Sequence, residues 1–297
     1  MGKDFVAILV SFLMGIIART YMMKIDYRQY PTYPQSYLSH LTLGFIAAGL
    51  GAVILPAFAQ KEYMAITFLA LAAQHFRDVR SLERQSLDNI EPTELVQRGI
   101  AYIEDIAKRF EARNYMSILT ATGTGAGFYL SQHFGLGRLT SIVIAMIFGS
   151  VIIFLLNNLL KVSIIESIAD VKPAVIEFEG PLLKISGTIV MNIGLKSSRE
   201  TYLKNGLAVE IIPKNKFAAA VLSNIGQRQA IQHNSAIMLG IRKDVDEPDF
   251  TPIARLNTEN GNVVMAIVVR EPDIRKYIEA VKSTPVLESA KRKPIDS

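Results

Sequence analysis

The sequence of 297 residues contains no cysteine, which excludes disulfide bonds, thiolate catalysis and zinc fingers. Histidine is scarce, and His40, His75, His133 and His233 have none of the spacings that bind a metal. No nucleophile with a neighbouring base can be identified, so no residue is assigned a catalytic role. We therefore expect no enzymatic activity, no cofactor and, unless distant positions converge, no metal site.

An excess of one charge is also missing from both halves of the chain. Residues 1–160 carry 13 Lys and Arg against 11 Asp and Glu, and residues 161–297 carry 19 against 16. Neither balance is basic enough to indicate a nucleic-acid partner. Hydrophobic residues, in contrast, make up 50% of the chain, which is high for a soluble enzyme. They form long runs before Lys161, whereas charged residues and turns recur after it, so we divide the chain there.

The first part, residues 1–160, contains apolar runs that reach or approach the roughly 20 helical residues needed to cross a bilayer. Four of these runs are Phe5–Met22, Leu38–Ala59, Tyr115–Phe134 and Leu139–Leu160. A fifth run, Tyr63–Phe76, has only 14 residues and could equally be a re-entrant or buried helix.

The basic residues between the runs favour five spans. One face then receives the loop after the first run, the loop 77–113 with its seven Lys and Arg, and Lys161. The other face receives only Lys3, Lys61 and Arg138. Because Lys and Arg collect on the cytoplasmic side, we predict a multi-pass protein of the cell membrane with its amino terminus outside. Its carboxyl domain is then cytoplasmic.

Small residues give two of the runs a face that suits close helix packing. Gly44 and Gly51 lie in the second run, and Gly123 and Gly127 stand four residues apart in Tyr115–Phe134. This spacing lets two transmembrane helices approach closely. We predict close packing at these four glycines, within one chain or between the chains of a homo-oligomer. The run interiors lack ionisable residues, which argues against an ion or proton path.

A charged segment over residues 92–113 has its apolar residues at helical spacing, and it predicts an amphipathic cytoplasmic helix that begins near Pro92. Acids and bases balance along it, so attraction to anionic lipid should be weak. We expect its apolar stripe to contact protein instead, either the carboxyl domain or a neighbouring subunit. The predicted contact residues are Tyr102, Ile103, Glu104, Ile106 and Phe110.

Residues 102–107 of this segment read YIEDIA. The string resembles Tyr-Ile-Glu-Gly-Ile-Ala, the hexapeptide that names the YIEGIA family of membrane proteins, which are associated with sporulation in endospore-forming bacteria. Asp105 stands where the family name has Gly. The several spans, the charged loop and the size of the carboxyl domain are also similar to that family. The resemblance implies a role in assembling the spore envelope and a small capping partner subunit, and it implies no catalytic residue.

Beyond Lys161 the pattern predicts a small α+β domain over residues 161–285, with helices on one sheet face, and a disordered tail over residues 286–297. The predicted strands include AVIEFEG (174–180), LLKISGTIVMNIG (182–194), GLAVEIIP (206–213), AIMLGIR (236–242), PIARLN (252–257) and NVVMAIVV (262–269). Helices are predicted over residues 215–225 and 273–282.

The stretch SNIGQRQAIQHN, residues 223–234, concentrates amides with one arginine and one histidine. Asn224, Gln227, Arg228 and His233 could bind a polar ligand or a phosphate. An ordinary polar connection or a subunit contact explains the same composition. Nothing acidic or nucleophilic accompanies these residues, so catalysis is not indicated.

Together these features predict an α-helical polytopic membrane domain of about five spans followed by a small α+β cytoplasmic domain. We expect a non-enzymatic scaffold or assembly protein whose partners are membrane lipid, copies of itself and other proteins. The alternative is a subunit of a membrane channel or transporter with a cytosolic regulatory domain.

Overall fold

The computed structural model describes residues 3–26, 34–241 and 250–291. The described residues form two compact units. The first, which we call the helical unit, lies within Met1–Arg84 and Ile106–Lys161, and the second, the α+β unit, lies within Gln85–Asp105 and Val162–Ser297. Residues 85–105 therefore belong with the carboxyl half of the chain although they precede it by more than 50 residues.

Five helices supply the helical unit. They are α1 (Lys3–Asp26), α2 (Pro34–Ala59), α3 (Tyr63–Ile90), α4 (Ile100–His133) and α5 (Arg138–Leu159). Three described segments, Asp4–Met22, His40–Ala59 and Arg138–Leu159, are long and apolar enough to cross a membrane. Each overlaps one of the predicted runs. The chain is thus mostly helical, with three helices compatible with membrane association and a small sheet region at its carboxyl end.

Helices α1, α2 and α4 pack together through small residues. The backbone of α2 at Gly44 accepts a hydrogen bond of 3.4 Å from Ser117 Oγ of α4, and about two turns later in α2 Gly51 O accepts one of 3.1 Å from Thr122 Oγ1. Because both positions advance together, α2 and α4 run in the same direction. Gly15 of α1 faces Ala48, between these two contacts.

Helix α3 runs against α4. The Phe76 and Tyr115 ring centroids lie 6.1 Å apart, and one turn later in α3 the Arg80 guanidinium lies 3.4 Å from the Glu111 carboxylate. The position in α4 moves back as the position in α3 advances. Helix α3 therefore returns the chain from the end of α2 to the start of α4, which the shared direction of those two helices requires.

The amphipathic helix predicted over residues 92–113 differs from the observed structure. A short 3₁₀ turn covers Glu91–Thr93, residues 94–99 form no helix, and α4 begins at Ile100 and continues without a break to His133. Gly99 has φ of +85°, a conformation that no α-helix contains. The predicted start near Pro92 is therefore wrong, and the charged helix is the first part of a long one.

The α+β unit contains seven strands and five helices beyond residue 161 in the described part of the chain. In chain order they are α6 (Ile165–Ile168), β1 (Ala169–Ala174), β2 (Ile176–Glu179), β3 (Leu182–Ile185), β4 (Thr188–Asn192), α7 (Lys196–Asn205), β5 (Gly206–Pro213), α8 (Lys216–Ser223), α9 (Ile225–Leu239), β6 (Ile253–Leu256), β7 (Val263–Val268) and α10 (Ile274–Lys282). One antiparallel sheet has the order β1-β5-β7-β6, and a second has the order β2-β3-β4.

The core of this unit forms around the central strands. All six residues of β7 are buried, as the continuous apolar run NVVMAIVV predicts for a strand covered on both faces. Tyr202 and Phe250 pack edge to face against the same core, with ring centroids 5.5 Å apart. Strand β5 has the predicted bounds, 206–213.

Two predictions for the carboxyl half are wrong. Residues 236–239 of the predicted strand AIMLGIR are the last turn of α9. This helix begins after Asn224, whose side chain caps it by accepting a hydrogen bond from Gln227 N at 3.1 Å, and it continues to Leu239. Residues 286–291 are also not a disordered tail, since Val286 and Leu287 are fully buried and Glu288–Ala290 forms a 3₁₀ turn. Residues 292–297 of that tail lie outside the described residues.

Candidate functional site around the YIEDIA segment

The segment that leads into α4, residues 91–105, packs against α9 within the α+β unit. We call it the motif segment. His233 Nδ1 lies 2.6 Å from Val96 O, and because a carbonyl oxygen only accepts, the imidazole proton is on Nδ1. The Tyr102 ring stacks edge to face on His233 with centroids 6.2 Å apart. A Cβ on Gly226 of α9 would lie 2.6 Å from Ala101 Cβ, so the two backbones are in close contact.

Glycine is required where the motif segment turns into α4. Gly99 has a positive φ, which side chains other than glycine rarely adopt. A Cβ there would also lie 2.3 Å from Gln229 Oε1. The backbone conformation therefore disfavours any larger residue, and a side chain there would also displace the end of the Gln229 side chain.

A buried ion cluster holds the turn before Gly99. The guanidinium of Arg98, which is 4% exposed, lies 2.8 Å from Glu94 and 3.6 Å from Glu91. The second oxygen of Glu91 accepts a 2.5 Å hydrogen bond from Gly99 N. Removing either partner of a buried ion pair leaves an uncompensated charge. The cluster therefore makes this one conformation of residues 91–99 strongly preferred.

Asp105 connects the motif to the carboxyl-terminal segment. Its side chain is 2% exposed and its Oδ1 accepts a 3.1 Å hydrogen bond from Glu288 N. Glu288 is the first residue of the 3₁₀ turn, whose leading N–H groups have no partner within the turn. A glycine at position 105 has no side chain to accept this bond.

Residues of α9 hold the same carboxyl-terminal segment from the other side. The Gln227 side chain is fully buried, donates to Pro285 O at 3.0 Å and accepts from Leu287 N at 2.8 Å. Asn234 donates to Ala280 O at 2.7 Å. The side-chain amides of α9 thus serve as the hydrogen-bond partners that a neighbouring strand would otherwise provide for the backbone of this carboxyl-terminal segment.

The burial of His233 sets its protonation. Burial lowers the pKa of His233 below its usual 6.5, and the nearby positive charge of Arg98 lowers the pKa further. The hydrogen bond with Val96 and the carboxylate of Glu94 act in the opposite direction but do not reverse the shift. His233 is therefore neutral at pH 7, in agreement with a single proton on Nδ1.

With this geometry established, the chain can be compared with known proteins. The sequence profile of the family described as "YIEGIA protein" matches residues 7–297. The chain belongs to the YIEGIA family. A Bacillus subtilis (strain 168) protein with the name "Uncharacterized protein YphB" is 40% identical over 290 residues, which are 97% of this chain and 94% of that protein. No solved structure matches the chain.

The YIEGIA match extends over both units, and the hexapeptide that names the family lies where they adjoin in the chain. Residues up to Asp105 belong to the α+β unit, and residues from Ile106 belong to the helical unit. Phe110 packs against the His40 ring at 4.8 Å and under the Arg19 guanidinium at 5.4 Å, all within the helical unit. Arg19 is a buried cation inside the first predicted run, Phe5–Met22, although the run interiors were predicted to lack ionisable residues.

Most of the residues predicted to contact a partner are buried within the chain itself. Tyr102, Ile103, Ile106 and Phe110 are each at most 5% exposed, while Glu104 is half-buried. Of the two partners expected for the stripe, the carboxyl domain is the one that Tyr102 contacts. Contact of these residues with a second chain stays a prediction.

The four residues predicted as a polar ligand site all belong to the start or the body of α9. Asn224 caps the helix, Gln227 holds residues 285–287, and His233 holds Val96. Arg228 makes two long hydrogen bonds, 3.3 Å to Ala254 O and 3.4 Å to Ser223 O. Ligand binding by the four residues together stays a prediction.

The four glycines predicted at helix contacts all lie against neighbouring helices. A Cβ on Gly44 would lie 2.4 Å from Arg19 Cγ, and one on Gly51 would lie 2.4 Å from Ile118 O. A Cβ on Gly123 would meet Ile152 at 2.1 Å, and one on Gly127 would meet Phe148 at 3.0 Å.

The ion cluster and the Asp105 contact were not predicted from the sequence. The four-residue spacing of Glu94 and Arg98 is a signal for an ion pair, but the third member, Glu91, joins only because of the turn at Gly99. Asp105 and Glu288 are 183 residues apart, so no local pattern could pair them. Among the described residues, no group of three or more acids and histidines is placed to hold a metal.

Proposed function

We propose that this YIEGIA protein is a non-enzymatic membrane scaffold. In this proposal the helical unit anchors the chain through five spans, and the α+β unit binds protein partners in the cytoplasm. The observation that carries the proposal is the close packing of the helices, which favours an anchor over a conduit.

The direction of the helices supports five spans. Helices α2 and α4 run in the same direction, so we expect α3 to cross the same thickness in reverse. Helix α4 has 34 residues and α3 has 28, or about 51 Å and 42 Å, against a hydrocarbon core of about 30 Å. The uncharged part of α3, Tyr63–Phe76, covers about 21 Å of that thickness. Arg77, which follows it, has a side chain long enough to reach the headgroup layer.

The distribution of basic residues supports the cytoplasmic placement of the α+β unit. With five spans, the end of α3, the start of α4 and the end of α5 share one side of the membrane. The seven Lys and Arg of residues 77–113 and Lys161 are then on that side, which by the positive-inside tendency is the cytoplasm.

The contacts between helices favour anchoring over transport. A Cβ on Gly15 would lie 2.7 Å from Ala48 Cβ, and one on Gly149 would lie 2.4 Å from Thr124 Oγ1. Helices α1 and α2 are thus closely packed on each other, and so are α4 and α5. Helices in such contact leave no width for a hydrated path between them. On α5, Val143, Ile147 and Phe154 are exposed and suit contact with lipid.

The role in sporulation rests on the family resemblance. Membership of the YIEGIA family implies assembly of the spore envelope and a small capping subunit as partner. In this proposal such a partner binds the α+β unit, on whose surface the large apolar residues Leu195, Leu203 and Ile237 are exposed.

Crosslinking with mass spectrometry in native membranes of sporulating cells tests the proposal. We expect crosslinks from the α+β unit to other proteins or to further copies of the chain. Glu104→Gln should preserve them. Gly99→Val, which the positive φ disfavours, should abolish crosslinks from the α+β unit while the chain still inserts in the membrane.

Two results would overturn the proposal. A chain without neighbours in wild-type membranes would remove the scaffold role. Solute flux through liposomes that contain the purified protein would favour the channel or transporter subunit instead. Protease added outside intact cells should leave the α+β unit uncut, and its digestion would contradict the cytoplasmic placement.

A further inference from the structure

A cleft lies on the α+β unit between the motif segment and the start of α9. Its volume is about 550 Å³, within the range of sites that bind small molecules. The motif segment contributes Glu94, Leu95 and Gln97, and α9 contributes Ile225, Arg228, Gln229 and Gln232. Thr251 and Ala254 complete the wall beside β6.

Arg228 is a charged residue of this cleft whose hydrogen-bond donors are only partly used by the protein. A guanidinium has five N–H donors, but those of Arg228 make only the two long hydrogen bonds described above. Its Nε is buried without a partner. Among the described residues, neither Arg228 nor Arg255, which lies close to it, forms an ion pair. Burial and the charge of Arg255 both lower the pKa of Arg228.

The negative charge that also lines the cleft is already compensated. Glu94 lies 2.8 Å from the Arg98 guanidinium, in the ion cluster that holds the motif segment. It therefore does not neutralise Arg228. An anion in the cleft would meet one uncompensated guanidinium and the neighbouring amides of α9.

The rim of the cleft is apolar. Leu95 is 55% exposed and Ile225 is 75% exposed, and both are lining residues. Large aliphatic side chains beside a cationic centre suit a ligand with an anionic head and a short apolar chain.

We propose that this cleft binds an amphiphilic anion. Its carboxylate or phosphate group lies against Arg228, whose planar guanidinium matches either group with paired hydrogen bonds, and its apolar part lies against Leu95 and Ile225. The site is independent of the scaffold role. The same head group is found in soluble acids and phosphate esters and in anionic lipids, and the test separates these sources.

Titration calorimetry on the full chain in neutral detergent tests the binding. The probes are hexanoate and hexyl phosphate, with hexanol as the neutral analogue of equal chain length. We expect at least one of the two anions to bind saturably and hexanol not to bind. Arg228→Gln should weaken the anion at least tenfold. Arg275→Gln, an exposed arginine of α10 outside the cleft, should leave it unchanged.

Two further measurements keep the test decisive. Arg228→Lys retains the positive charge but not the planar guanidinium with its paired donors, and it should weaken binding less than Arg228→Gln. This comparison separates a loss of the charge from a loss caused by unfolding. Hydrogen exchange in nanodiscs then identifies the source. An anionic lipid is assigned if residues 92–97 and 225–232 are protected in phosphatidylglycerol nanodiscs but not in phosphatidylcholine nanodiscs, and if Arg228→Gln loses that protection. A soluble anion is assigned if these residues are protected only when the soluble probes are added. Absence of binding by both anions, or equal binding by wild type and Arg228→Gln, overturns the proposal.

Discussion

Replacing Asp105 by Ala should loosen the carboxyl-terminal segment of the α+β unit without unfolding the rest. The substitution removes the buried carboxylate that accepts the 3.1 Å hydrogen bond from Glu288 N. Hydrogen bonds to charged groups contribute about 1.5–3 kcal/mol. Because about 1.4 kcal/mol is a factor of ten in an equilibrium, opening of this segment should become roughly ten to 150 times more frequent.

Hydrogen exchange measured by mass spectrometry on the full chain in detergent reports this opening. Peptides that cover residues 284–291 should exchange faster in Asp105→Ala by that factor. Asp105→Asn keeps an oxygen acceptor without its charge. Since a charge roughly doubles the strength of such a bond, this variant should be destabilised by about half as much free energy as Asp105→Ala. Asp105→Gly, the residue in the family name, should add about 1 kcal/mol of helix destabilisation, visible as faster exchange near Ile100.

The neighbouring acid provides the control. Glu104 points about 100° away from Asp105 around the helix, and Glu104→Gln should leave exchange of residues 284–291 at the wild-type rate. Unchanged exchange of these residues in Asp105→Ala would show that the bond is not maintained in solution. Faster exchange over the whole α+β unit would instead mean that Asp105 supports the unit and not this segment.

Two other predictions concern single contacts in each unit. Gly51→Ala should lower the free energy of unfolding of the full chain in detergent by about 1–3 kcal/mol, because the added Cβ would lie 2.4 Å from Ile118 O. Gly49→Ala should be tolerated, because the nearest atom, in Phe12, is 3.8 Å from the added Cβ. Equal melting temperatures of the two variants would refute this prediction. The pKa of His233 is lowered by burial, so the unfolded chain binds a proton first and the α+β unit should lose stability as the pH falls below about 6.5. His233→Asn should flatten that part of a stability profile, and an unaltered slope would assign it to other groups.

The elements that could be predicted from the sequence are those whose burial follows a simple pattern. Strand β7 is apolar at every position because it is central in its sheet, and β5 is bounded by Gly206 and Pro213 as predicted. The apolar runs of the first half lie almost entirely in helices, because each run is long and continuously apolar. In each case the cause is local, so a window of about ten residues contains it.

Helix α9 could not be predicted in this way because its polar residues are not on a solvated face. Gln227, Asn234 and His233 are directed at backbone groups of Pro285, Ala280 and Val96. A polar residue on such a helix resembles a surface residue in a periodicity test although it is buried. The helix therefore looked like a polar connection followed by a short strand. Only the distant segments that it holds explain its composition.

The YIEDIA segment illustrates the same limit from the functional side. A charged helix beside membrane spans predicts a surface for partners, yet Tyr102 and Asp105 each contact a different part of the carboxyl domain. The ion cluster and the positive φ of Gly99 fix where this contact begins. All of these contacts lie within the α+β unit, where they hold residues 91–105 against α9 and the carboxyl-terminal segment. Substitutions at Tyr102 or Asp105 are therefore expected to alter the packing of the α+β unit first, and to affect the binding of any partner only through that packing.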